Sequence, residues 1–135
     1  MRAAPALQPG DAAVPRRIGP VTQTDIVRFA GAGGDFNPLH HDEGAARAAG
    51  FPAIVAMGQF TAGALAGLLT DWVGIENVRE FGVKFVAPVF VGDAVELTAV
   101  VTHVEADEAS IRLAAAVGDR ESVTGTARVT RSSRP

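Results

Sequence analysis

From Phe51 to Thr70 the chain runs for twenty residues without a formal charge, and no other stretch limits the fold so tightly. A run of that length can cross a bilayer, or it can form a helix buried on all sides inside a globular fold. Pro52, Gln59, Thr61 and three glycines dilute its apolar content, whereas a membrane span calls for a denser apolar sequence. The expectation is therefore a buried helix and no membrane association. It should begin near Met57 or Gly58, run to about Trp72 and stop at Gly74. Gly63 and Gly67 lie four apart with Ala62 and Ala66 beside them, a strip of small residues on one face that would let another backbone come close. Leu65, Leu68, Leu69 and Phe60 cover the remaining surface.

Such a helix needs a wide apolar surface to bury against, and from Val78 onward the period changes to two. "EFGVKFVAPVF" reads as a strand whose Pro88 implies an edge or a bulge. "VGD" turns the chain into "AVELTAVVTHVE", and "ADEA" turns it into "SIRLAAAV", where Ile111, Leu113, Ala115 and Val117 share a face. Gly118-Asp119 is a two-residue hairpin signal, leading into "ESVTGTARVT" with Val123, Ala127 and Val129 on one face. Three or four successive hairpin-linked strands make an antiparallel sheet with one buried face, and the uncharged helix is the only large partner available to cover it. The expected class is α+β: an antiparallel sheet wrapped around one long central helix, which is a short description of the hot-dog fold.

The sequence before the helix is of another kind. Thr22 or Thr24 can cap a helix through "TDIVRFAGAG", with Gly31 and Gly33 ending it. Asp42 is placed as N-cap of a short helix "EGAARAA" that Gly50 closes. Between these helices lies "GGDFNPLHHD", and nothing else in the chain is as dense in groups that move protons.

A length of 135 residues argues for one domain. The expected division is a flexible lead-in over 1–13, with three prolines between Met1 and Arg17, a domain over 14–131 and a short tail over 132–135. The net charge of −3, with the basic residues scattered, offers no footprint for a nucleic-acid backbone. With no cysteine there can be no disulfide, thiol nucleophile or Cys-based metal site; the expected location is cytoplasmic.

Asp35 and His40 stand five apart across an Asn37-Pro38 turn. A carboxylate and an imidazole brought together can orient a shared water and exchange protons with it. Asn37 can bond back to the turn backbone and Pro38 fixes φ, so the turn is stiff enough to hold both groups at one spacing. The plainer reading is that Asp35 caps a helix while His40 packs or faces solvent. "HHD" has the look of a metal cluster, but adjacent residues point apart and no third ligand follows at sensible spacing, so no metal is expected. "GAGGD" follows a helix rather than a strand and lacks the Lys of a phosphate loop, and no cofactor is expected. Gly58, eighteen residues beyond His40, opens the uncharged helix. Helix N-termini present free N–H groups, and a glycine there leaves room for a carbonyl oxygen to be stabilised as it gains charge; the plainer reading is that Gly58 merely starts a helix in a crowded core.

Together, "GDFNPLHHD", "FPAIVAMGQFTAG" and "VKFVAPVFVGDAVELTAVV" resemble the MaoC-like hydratases, among them (R)-specific enoyl-CoA hydratases and (3R)-hydroxyacyl-thioester dehydratases. The resemblance extends from about Ile18 to Val129. It implies a hot-dog subunit that dimerises by joining two sheets edge to edge, as a homodimer or a heterodimer. It implies as substrate an acyl thioester on coenzyme A or acyl carrier protein. By the same resemblance, Asp35 and His40 would hold the water that adds across a trans-2-enoyl thioester. Gly58 N–H would bind the thioester oxygen, with Asn37 and Pro38 bracing the turn. One position departs from the pattern: Met57 stands where the family commonly has His.

Two alternatives use the same fold. A hot-dog thioesterase often sets a carboxylate on or just before the central helix, whereas here that helix has none until Asp71 at its far end. A non-catalytic acyl-binding partner of a heterodimer would have no need of Asp, Asn, Pro and His at this spacing together with Gly58. Hydration is the expectation that uses all five.

Overall fold

The alternation after Val78 does form strands. A computed structural model, which describes residues 1–132, contains β1 (Arg16–Ile18), β2 (Val78–Phe85), β3 (Val95–Glu105), β4 (Glu108–Val117) and β5 (Arg120–Thr130). Its helices are α1 (Gln23–Gly33), α2 (Glu43–Ala48) and α3 (Gly58–Val73). All five strands belong to one antiparallel sheet in the order β1-β3-β4-β5-β2. Helix α3 lies on β2, β3, β4 and β5, as a central helix should. Leu65 and Leu69 of α3 and Leu97, Ile111, Leu113 and Val129 of the strands are all fully buried between them. Burying each such side chain contributes roughly 1.5–3 kcal/mol, which makes this contact the main source of stability.

Two of the expected turns are hairpins of two residues. Glu105 pairs with Glu108 around Ala106-Asp107, and Val117 pairs with Arg120 around Gly118-Asp119. The "VGD" turn differs from expectation. Strand β2 is no hairpin partner of β3; it pairs with β5 at the opposite side of the sheet. The chain from Val86 to Ala94 makes that crossing, held on the way by Val55–Phe90 bridging and by Ala56 N–H donating to the Val89 carbonyl at 2.8 Å. Pro88 falls in this crossing, three residues beyond the end of β2, and so interrupts no ladder.

The lead-in expected to be flexible over residues 1–13 is docked. Gly10 N–H donates to Val101 and Ala13 N–H to Ala99, while Asp11 accepts from Val101 N–H. Leu7 and Ala13 are buried. The three prolines that argued for looseness leave the N–H groups between them free to pair along β3. At the other end Ser132 N–H donates to the Pro5 carbonyl; the rest of the expected tail, residues 133–135, lies outside the described residues. The small-residue strip of α3 also departs from expectation. A Cβ at Gly63 would meet nothing within 4 Å, so no backbone of the described residues closes on it there.

Candidate active site

Helix α1 sets the position of Asp35. Thr22 and Asp25 start it with a capping box: Thr22 Oγ1 accepts from Asp25 N–H at 3.1 Å, and Asp25 returns the bond to Thr22 N–H at 2.9 Å. The bonds from Thr22 hold the Asp25 carboxyl below its ordinary pKa. The helix runs past Gly31, and Gly33, the other glycine expected to end it, is its last residue. The cap is Gly34, whose φ of 70° puts it in the left-handed region that a C-terminal cap needs. Asp35 follows at once, its N–H donating to the Ala30 carbonyl at 3.0 Å.

The turn then closes on itself. Asn37 N–H donates to Asp35 Oδ1 at 3.3 Å, and Asn37 Oδ1 accepts from Leu39 N–H at 3.1 Å. Pro38 opens a single 3₁₀ turn, Pro38–His40, where its fixed φ suits the first position. Asp42 caps α2 by accepting from Ala45 N–H, as its spacing implied. His41 points away from this centre, its Nε2 lying 3.3 Å from the Phe36 carbonyl. Among the described residues no group of three or more His, Asp and Glu side chains converges as a metal site.

The structure brings Asp35 and His40 together: His40 Nε2 stands 3.4 Å from Asp35 Oδ2. The imidazole is 11% exposed and the carboxylate 48%, so the pair meets water from the Asp35 side. The other ring nitrogen, Nδ1, lies 2.6 Å from the Val55 carbonyl. A carbonyl can only accept, so Nδ1 donates a proton to it, and Nε2 is the nitrogen that faces Asp35. Val55 N–H donates in turn to the Leu39 carbonyl, and Gln23 Nε2 donates to the His40 carbonyl at 2.9 Å. Neither Val55 nor Gln23 was singled out in the sequence. A backbone carbonyl leaves no trace in residue identity, and Gln23 is one polar residue among many.

Val55 also begins the wall of a cavity of about 390 Å³ at the N-terminus of α3. Met57, Gly58, Thr61, Phe85 and Val89 line it as well; Asp35 and His40 do not, and reach it only through Val55. Met57 gives α3 no side-chain cap, so the first N–H groups of the helix, that of Gly58 included, lack a side-chain acceptor there. A Cβ on Gly58 would stand 2.7 Å from the ring of Phe85, so a larger residue here requires that half-exposed ring to shift. A wider concavity, about 870 Å³, lies on the sheet beside Lys84, Arg112, Thr126 and Arg128, away from the turn. The carboxylate–imidazole pair and the open helix terminus are thus neighbours joined by one residue.

Residues 6–123 match the family described as MaoC like domain. The 3-hydroxyacyl-thioester dehydratase X of Mycobacterium tuberculosis is 38% identical over 69 residues, covering 51% of this chain and only 24% of that protein. The 3-hydroxybutyryl-CoA dehydratase of Methylorubrum extorquens is 32% identical over 114 residues, covering 81% of this chain and 72% of that one. Among solved structures, the (R)-hydratase from A. caviae involved in PHA biosynthesis superposes with a TM-score of 0.82 at 27% identity, over 93% of this chain and 98% of that one. The matched span takes in the Asp35–His40 turn, all of α3 and the sheet as far as β5. With its hot-dog fold and that match, the chain belongs to the MaoC-like family of hydratases and dehydratases.

Proposed function

We propose that the chain catalyses reversible hydration of trans-2-enoyl thioesters, on coenzyme A or acyl carrier protein, to (R)-3-hydroxyacyl thioesters. The observation that carries this reading is the Asp35–His40 pair at 3.4 Å with Nδ1 tied to the Val55 carbonyl. With the ring neutral, two acceptors face each other, the Nε2 lone pair and the carboxylate. One water can donate a hydrogen to each, leaving its oxygen lone pairs free for the substrate. That oxygen bonds Cβ as one member of the pair takes a proton, and the pair returns a proton to Cα. Water is added across the double bond and the pair ends as it began. The thioester oxygen gains charge during the attack, and Gly58 N–H at the positive end of α3 stabilises it. Asn37 and Pro38 hold the turn in shape.

The chain works, on this reading, as a dimer joined along β2, with a second copy or a related subunit. Strand β2 is a sheet edge, and Phe85 and Val86 at its end are both more than half exposed. No helix of the described residues is long and apolar enough to cross a membrane.

The test is loss of the enoyl-thioester absorbance when purified protein meets crotonyl-CoA and a longer trans-2-enoyl-CoA, with the product's stereochemistry determined. Formation of the (R)-3-hydroxyacyl thioester supports the reading. Release of free thiol without hydration would replace it with a thioesterase, although Asp71, the first carboxylate of α3, is bound to Arg16 at 2.7 Å.

A further inference from the structure

The hydroxyl of Thr61 has no explanation in the fold. Thr61 is 1% exposed, and its Oγ1 has no hydrogen-bond partner within the described residues. Burying a hydroxyl without a partner is unfavourable, and an aliphatic side chain of the same shape would suit an apolar wall better. Thr61 lines the cavity at the start of α3, whose other walls are chiefly Val, Ala, Met, Phe and Pro. It stands three residues beyond Gly58 on the same helix, and residues three apart share a helix face. Helical side chains also lean back toward the N-terminus, so the Thr61 side chain covers the turn that Gly58 opens. Threonine in a helix divides between two χ1 rotamers, so the hydroxyl can swing without backbone movement.

We propose that the Thr61 hydroxyl is a second donor to the thioester carbonyl oxygen, beside Gly58 N–H. This deepens the hydratase reading and rests on it. Two donors on one oxygen fix its position as well as its charge, and the unpaired hydroxyl acquires its partner only when substrate is bound. Gly58 N–H approaches along the helix axis and Thr61 from the side, so a thioester oxygen is held at one point. The substrate itself completes the polar inventory of the cavity.

Thr61→Val keeps the shape and removes the hydroxyl; Thr61→Ser keeps the hydroxyl and removes a methyl. With crotonyl-CoA, Thr61→Val should lose on the order of a hundredfold in kcat with a smaller change in KM, and Thr61→Ser should recover most of it. The melting temperature of Thr61→Val should equal or exceed that of the wild type, because an unpaired hydroxyl has been replaced by a methyl group. An independent reading comes from the infrared carbonyl band of bound ¹³C-carbonyl butyryl-CoA, which cannot be hydrated. The band should fall below its free value in the wild type and in Thr61→Ser, and move back toward it in Thr61→Val. The same band in wild type and Thr61→Val overturns the inference, as does a wild-type band at its free value. A Thr61→Val variant that loses stability and activity together with its band unchanged also overturns it and assigns Thr61 to structure. If the wild type hydrates no enoyl thioester, the hydratase reading falls, and the carbonyl band alone decides whether Thr61 binds a thioester.

Discussion

At the scale of single residues, the proposed chemistry rests on a short turn. Asp35→Asn should lower the rate of crotonyl-CoA hydration by at least about 10²-fold while the melting temperature changes little, since the carboxylate is half exposed and bonds only the turn backbone and His40. His40→Gln should do the same to the rate. Either variant keeping near-wild-type activity would remove the pair from the mechanism. Gly58→Ala is a different perturbation: the N–H survives, but the new methyl meets the Phe85 ring. It should raise KM for crotonyl-CoA, and adding Phe85→Ala should return part of the loss in a double-mutant cycle. That Asp35 and His40 meet was legible in the sequence, because the Asn37-Pro38 turn between them is short and bonded to its own backbone. Val55 was not, because what it supplies is a carbonyl that any residue has, placed fifteen positions from the imidazole it binds.

At the scale of elements, the starts of α1 and α2 are fixed by side-chain caps. Asp25 is ionised in the capping box of α1 with its pKa held below the ordinary value by the bonds from Thr22. Its contribution to stability is therefore complete above the unfolded carboxyl pKa and is lost as pH falls through the lower, folded value. Thermal melts of Asp25→Asn and wild type should differ near neutrality and converge at the acid end; curves that stay parallel would show that the cap does not depend on charge. Such caps are readable in advance: Asp42 and Gly74 stand where spacing put them, and of Thr22 and Thr24 the cap is Thr22. Of the two glycines expected to end α1, Gly33 is its last residue, and Gly34 beyond it takes the left-handed cap. The pairing of β2 was not readable. Hairpin signals report local turns, whereas β2 meets β5 across some forty residues of chain.

At the scale of the whole molecule, the contact between α3 and the sheet carries the stability. Leu65→Ala should cost roughly 2–5 kcal/mol in denaturant unfolding, the range for a fully buried leucine. A dimer along β2 should sediment at twice the monomer mass. If β2 carries that contact, the docked segment over residues 10–13 bears on whether assembly goes further. It covers the outer side of β3, the strand that would otherwise present a second long edge. Removing residues 1–13 should lower the melting temperature and produce concentration-dependent species larger than a dimer in light scattering. A subunit with two sticky sides can be added to without limit, as links are added to a chain. One in which residues 10–13 already lie across one side is left with a single side to join by.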